Sequence, residues 1–143
     1  MSFLVDTNVI SELRKGPRAN RSVAAWWSTV LDEEIFLSVL TIGEIRRGVE
    51  SVRRRDVDGA NALDRWLSRL VRDQEDRILG VDVAIVETWG RLNVPDPLPV
   101  IDGLIAATAI VHGLVLVTRN VADIERTGVE ALNPWQFSRN GGS

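Results

Sequence analysis

The sequence predicts an α/β fold, a parallel sheet flanked by helices. Three observations carry that reading. Short apolar runs alternate along the chain with segments of helical period, the pattern of repeated βαβ units. The 143 residues are one domain's length, enough to bury a core. No internal repeat or composition break divides them, so residues 1–138 read as a single domain and 139–143 as a disordered tail.

The first apolar run, Phe3-Leu4-Val5, ends at Asp6 and reads as a buried strand. Asp6-Thr7-Asn8 favours a helix start, with Asp6 or Thr7 as N-cap, and Gly16-Pro17 stops that helix. Ser22 is expected to cap a second helix over 23–31. It carries Trp26 and Trp27, which cannot both face inward, so one is expected at the surface. Residues 35–38 form a second strand. A helix over 41–49 follows, with Ile42, Ile45 and Val49 at helical spacing.

Residues 53–58 are charged and lack an apolar period, so they read as a turn. Leu63, Trp66, Leu67 and Leu70 make the stripe of an amphipathic helix over 62–71. A third strand spans 78–81, and Asp82 caps a helix whose Ile85, Val86 and Trp89 point inward. Pro95, Pro97 and Pro99 force a loop over 93–99. Residues 100–111 are apolar on nearly every face and read as a helix buried all round, with His112 as the cation at its C-terminus. Residues 114–118 form the fourth strand, 119–125 a loop and helical turn, and 129–132 an edge strand.

Composition narrows the setting. Apolar content of 45% and charged content of 26% are those of a soluble globular protein. The absence of cysteine excludes disulfides and thiolate metal sites and fits a reducing cytoplasm. No basic segment leading into an apolar core suggests a secretory signal. The apolar stretch 98–117 is long enough to raise a membrane span, but Asp102 and His112 lie inside it. A lone Asp at mid-bilayer costs about 2.5–3.5 kcal/mol, so helix, glycine stop and strand is the better reading. The net charge of −3 counts against a nucleic-acid partner held by overall charge. Five arginines between Arg46 and Arg55 qualify that, although such a group is more often a solvated face.

Four carboxylates occupy places where a carboxylate is expensive. Asp6 ends the first strand, and Glu44 sits on a small, polar helix edge with Thr41 and Gly48. Asp102 lies in the first turn of the all-apolar helix, and Asp123 follows the fourth strand. In an open α/β sheet such strand ends share one crevice. Two like charges about 5 Å apart repel by roughly 3 kcal/mol at an effective dielectric of 20. Several such pairs would exhaust a domain stability of about 5–15 kcal/mol. A cation is therefore required, and Lys15 is the sole lysine. An all-oxygen set suits Mg²⁺ or Mn²⁺, whose chemistry includes phosphodiester hydrolysis without a histidine base. The competing reading is mundane: Asp6 and Asp102 as helix caps, Glu44 as a surface residue and Asp123 as a solvated turn residue.

Four segments resemble the PIN domain, in the right order over nearly the whole chain. They are Val5-Asp6-Thr7-Asn8, Ser38 to Gly48 around Thr41-Ile42-Gly43-Glu44, Val100-Ile101-Asp102-Gly103, and Leu116-Val117-Thr118-Arg119-Asn120-Val121-Ala122-Asp123. They are most similar to the VapC and FitB type, the toxin half of bacterial type II toxin–antitoxin pairs. The resemblance implies a three-layer α/β/α fold with a central parallel sheet. It also implies a Mg²⁺- or Mn²⁺-dependent endoribonuclease, a homodimer, and a cognate protein antitoxin that blocks the acidic site. It assigns the metal pocket to Asp6, Glu44, Asp102 and Asp123, with Thr7, Asn8, Thr118 and Asn120 as supporting polar groups. Family members carry their last acid at the position of Asn120, at Asp123, or at both; here Asp123 alone is acidic.

Two rival readings share the front of the chain. A Mg²⁺-dependent phosphotransfer protein or phosphatase also puts an aspartate after a strand, but it wants a second Asp where Asn8 stands and a late lysine. A non-catalytic PIN-like module binding RNA or protein would not need Asp6, Glu44 and Asp102 together.

Overall fold

The computed structural model describes residues 1–138, and the expected tail 139–143 lies outside them. Among the described residues five strands form a single sheet: β1 (Phe3–Val5), β2 (Ile35–Ser38), β3 (Ile78–Leu79), β4 (Val115–Val117) and β5 (Ala131–Leu132). Their order is β3-β2-β1-β4-β5, and every pairing is parallel. The first strand made is therefore the middle one, with Phe3 in register with Ile35 on one side and Val115 on the other.

Strand alternation divides the core into two layers. Phe3 and Val5, Ile35 and Leu37, and Val115 and Val117 point to one face, Leu4 and Leu116 to the other. The first face is covered by α1 (Thr7–Leu13), α2 (Arg21–Trp27), α3 (Val39–Arg53) and α4 (Val57–Asp73), through Val9, Val23, Trp26, Ile45, Val49 and Leu67. The second is covered by α6 (Val100–His112) and α7 (Val121–Ile124), through Ile105, Ala106, Ala109 and Ile124. Between β3 and α6, α5 (Val83–Leu92) packs along α6. This is the expected three-layer α/β/α arrangement. Among the described residues no helix is long and apolar enough to cross a membrane.

Several expectations change in detail. Asn20, not Ser22, caps α2: its Oδ1 accepts from the backbone N–H of both Ser22 and Val23. That helix ends at Trp27 rather than residue 31. Trp26 is buried edge-on against Phe3, at 5.5 Å between ring centres, and Trp27 is half-buried against the same core rather than exposed. The charged stretch 53–58 is not all turn. Arg53 still belongs to α3, and Asp56 caps α4 by accepting from Gly59 N at 2.9 Å, so the helix begins at Val57, five residues before the expected start at 62. Two of the five arginines between Arg46 and Arg55 are paired. Arg46 and Arg53 each bridge Glu50 on α3 and Asp64 on α4 at 2.9–3.1 Å.

On α5, Ile85 is fully buried and Trp89 half-buried, but Val86 faces outward at 43% exposure. Asp82 caps the helix as expected, accepting from Ile85 N. The third strand is only Ile78–Leu79, and Val81 is exposed. The α6 helix is buried through its middle, from Ile105 to Ala109, yet Val100, Ile110 and Val111 are exposed, so it is not enclosed on all sides. His112 does lie in its last turn, and Gly113 ends it at φ 65°, a conformation favouring glycine. The edge strand exists in shorter form as β5, followed by an unforeseen 3₁₀ turn, Pro134–Gln136, that packs on α2.

Candidate active site

The parallel topology puts the C-terminal ends of β1 and β4 side by side, and Asp6 and Thr118 are the first residues beyond them. Asp6 N donates to Val117 O at 2.9 Å, which fixes the two exits against each other. The Asp6 side chain is then held at both oxygens. Oδ1 accepts from Thr7 N at 2.7 Å as the N-cap of α1, and Oδ2 accepts from Thr118 Oγ1 at 2.8 Å. The capping role and the site role are thus one geometry, not alternatives.

Thr118 is itself fully buried. Its hydroxyl gives its one proton to Asp6 and accepts from Asn8 Nδ2 at 3.3 Å and Asn120 N at 3.2 Å, which uses all its capacity. Asn8 Oδ1 meanwhile accepts from Arg119 N at 3.3 Å, binding the start of α1 to the loop after β4. On the other side of Asp6, Thr7 Oγ1 donates to Glu44 Oε1 at 2.5 Å and lies 3.2 Å from Thr41 Oγ1. The small polar edge around Glu44 is this contact with α1.

Asp6, Asp102 and Asp123 line one cleft with Thr118 and Asn120, over an apolar floor of Ile105, Leu116 and Ile124. Asp102 enters from the first turn of α6 and makes no cap there, since Pro99 holds that position without a side-chain bond. Glu44 stands beside the cleft rather than in its wall, lining an adjoining groove with Thr7, Arg14 and Trp66. Its charge still reaches both neighbours. Burial raises the Asp6 pKa above 3.8 against the opposing hydrogen bonds of Thr118 and Thr7, and Asp102 and Glu44 push it further up. Burial likewise raises Asp102, helped by Glu44 and Asp123. Among the described residues, the charges acting on these two groups are all carboxylates.

The family model for the PIN domain matches residues 3–129. The chain belongs to the PIN-domain family. A VapC ribonuclease, Y4jK of Sinorhizobium fredii, is 30% identical over 142 residues, covering 94% of this chain and 98% of the relative. Toxin FitB of Neisseria gonorrhoeae is 31% identical over 139 residues, covering 93% and 98%. The crystal structure of FitAcB from the same organism superposes with a TM-score of 0.86 at 30% identity, covering 94% of this chain and 99% of that one.

Whether this PIN cleft suits a divalent cation is a question of its donor set. The wall offers carboxylate, hydroxyl and amide oxygens and neither imidazole nor thiolate, the preference of a hard cation. Among the described residues no three of the acids are drawn tightly enough together to make a finished site. Mutual repulsion opposes closer approach of side chains that already raise one another's pKa. The donor types fit Mg²⁺ or Mn²⁺.

Proposed function

We propose that this PIN-domain protein is the toxin of a type II toxin–antitoxin pair, an endoribonuclease that hydrolyses RNA phosphodiester bonds with Mg²⁺ or Mn²⁺ in the cytoplasm. The observation that carries the metal-dependent part is the cleft itself. Asp6, Asp102 and Asp123 come to it from three elements with no cationic side chain acting on Asp6 or Asp102 among the described residues. The names of the relatives, a VapC ribonuclease and a FitB toxin, support the activity and the role.

In this reading Asp6, Glu44, Asp102 and Asp123 serve the cation, Asp6, Asp102 and Asp123 from the cleft wall and Glu44, whose charge acts on both Asp6 and Asp102, from beside it; Asn120 offers an amide oxygen from the same wall. When bound, the ion supplies water activation and charge stabilisation at phosphorus. The chain's own task is to keep the oxygens fixed. Thr118 and Thr7 hold both Asp6 oxygens from behind, leaving the remaining lone pairs directed at the cleft. Glu44, held by Thr7, adds negative charge at the side and so strengthens the demand for a cation.

An antitoxin partner is supported by similar structures described as toxin–antitoxin complexes. An apolar groove of about 220 Å³ lined by Ile10, Leu13, Trp27, Trp66 and Leu70, where Gln74 Oε1 is buried without a hydrogen-bond partner, supports this reading as a surface for the partner to cover. A homodimer is supported by exposed valines at the β2–β3 edge. Val39 follows Ser38, which is in register with Leu79, and Val81, Val83 and Val86 follow on.

The test is cleavage of total RNA by the purified protein, with Mg²⁺ or with EDTA, beside Asp6→Asn. Cleavage by the wild type in Mg²⁺ alone, abolished in the variant without loss of folding, is the expected result. Undiminished cleavage by Asp6→Asn, or in EDTA, would overturn it.

A further inference from the structure

Two of the cleft's acids sit on segments that are not neighbours in the sheet. Asp102 belongs to the start of α6, delivered by the loop 93–99, and Asp123 to α7, beyond β4. Beside the packing of α6 on α7, one side chain ties the end of α5 and the loop before α6 to the turn after α7. Arg126, in the 3₁₀ turn Glu125–Thr127 that continues α7, donates from Nη1 to Leu92 O at 3.0 Å and from Nη2 to Asp96 O. Its planar fork reaches the last residue of α5 and the loop beyond it, 34 and 30 positions earlier.

The loop that Arg126 grips is also tied internally. Asn93 closes it, with Nδ2 donating to Trp89 O at 2.7 Å and Oδ1 accepting from Leu98 N at 2.9 Å. Leu98 is buried. A Cβ at Gly103 would meet the Trp89 ring at 3.1 Å and Leu98 Cβ at 3.4 Å, so loop, α5 and the residue after Asp102 are in close contact. A pull on Asp96 or Leu92 is therefore passed to Asp102, while the same guanidinium is three residues from Asp123.

We infer that Arg126 is a positioning residue whose two-carbonyl clasp sets the spacing of Asp102 and Asp123, and through it the cleft's affinity for a divalent cation. The inference rests on the metal reading above. Arg126 touches no reacting group. It acts by holding two ligands that repel each other at a fixed separation, so its loss lets the cleft widen. Supporting groups of this kind typically change metal affinity by about ten- to a hundredfold.

Wild type, Arg126→Ala and Arg126→Lys are compared by thermal unfolding in EDTA and across a Mn²⁺ titration, and by cleavage across the same titration. For Arg126→Ala we expect the Mn²⁺ concentration for half-maximal stabilisation, and for half-maximal cleavage, to rise about tenfold. The rate at saturating Mn²⁺ should stay near that of wild type. Arg126→Lys keeps the charge and the stem but not the fork, and should lie between the two. It also serves as the readout where the alanine variant does not fold. A lower melting temperature in EDTA with unchanged Mn²⁺ midpoints would reduce Arg126 to a structural tie and overturn the inference alone. A wild type indifferent to Mn²⁺ in both measurements would overturn the metal reading and this inference with it.

Discussion

Thr118 shows how little local chemistry is needed to hold a buried carboxylate. One hydroxyl, fully enclosed, orients Asp6 and is itself oriented by Asn8 and Asn120. The bonds from Thr118 and Thr7 lower the pKa of Asp6, but burial and the neighbouring acids outweigh them. Asp6 and Asp102 thus bind protons more strongly folded than unfolded. Their favourable contribution is complete below the ordinary value of 3.8 and is lost as pH rises through the elevated folded values. In EDTA the melting temperature should accordingly fall as pH rises above the ordinary carboxylate value of 3.8 and through the elevated folded values. Asp102→Asn should flatten that fall and raise the midpoint at neutral pH by roughly 3 °C, the effect of about 1 kcal/mol in a domain of this size. Thermal scans of the two proteins at each pH check this, and a lower midpoint in the variant would mean Asp102 chiefly serves the α6 N-terminus. At this scale the apolar runs mark the acids, whereas their supports, Thr7, Asn8, Thr118 and Asn120, come from the family resemblance and are found where it implied. A carboxylate after an apolar run is visible, whereas the bond from Thr118 to Asp6 spans 112 residues.

The elements were legible in kind and order, less so in extent. Apolar periodicity finds the buried middle of a helix but not the solvated turns at its ends, which is why α3 and α4 prove longer than their stripes. Caps are set by backbone geometry, so Asn20 wins over Ser22 although both are capping residues. Val86 shows the opposite error, since an apolar residue at a plausible helical position lies on the outer face. The α5–α6 contact is where an element boundary matters for the site. Gly103→Ala would press a methyl group on the Trp89 ring, with no flexible end there to yield. The expected cost is about 1–3 kcal/mol, with lower cleavage from displacement of the adjacent Asp102. Denaturant unfolding and the cleavage rate measure both, and an unchanged stability would show that α5 shifts freely.

For the molecule as a whole, the exposed valines that follow β2 and β3 are an apolar feature of the surface. Val83, at 72% exposure, is the outermost. Val83→Asp should convert a dimer to a monomer in sedimentation velocity while leaving the unfolding of each protomer intact. A wild type that sediments as a monomer at micromolar concentration would remove the dimer from the proposal. The overall architecture was the most legible feature, because alternation of strand and helix along a chain permits few topologies. The pairing of β1 with both β2 and β4 was not, since nothing in a three-residue strand names its partners.

That central placement of β1 bears on how the protein is made. Asp6 is translated almost at once, but the strand against which it is fixed, and the hydroxyl that orients it, arrive only with residues 115–118. A ribosome-bound nascent polypeptide lacking those residues has neither the completed sheet nor the cleft. The cleft, and whatever hydrolysis it performs, can therefore arise only once the residues through Ile124 have been added.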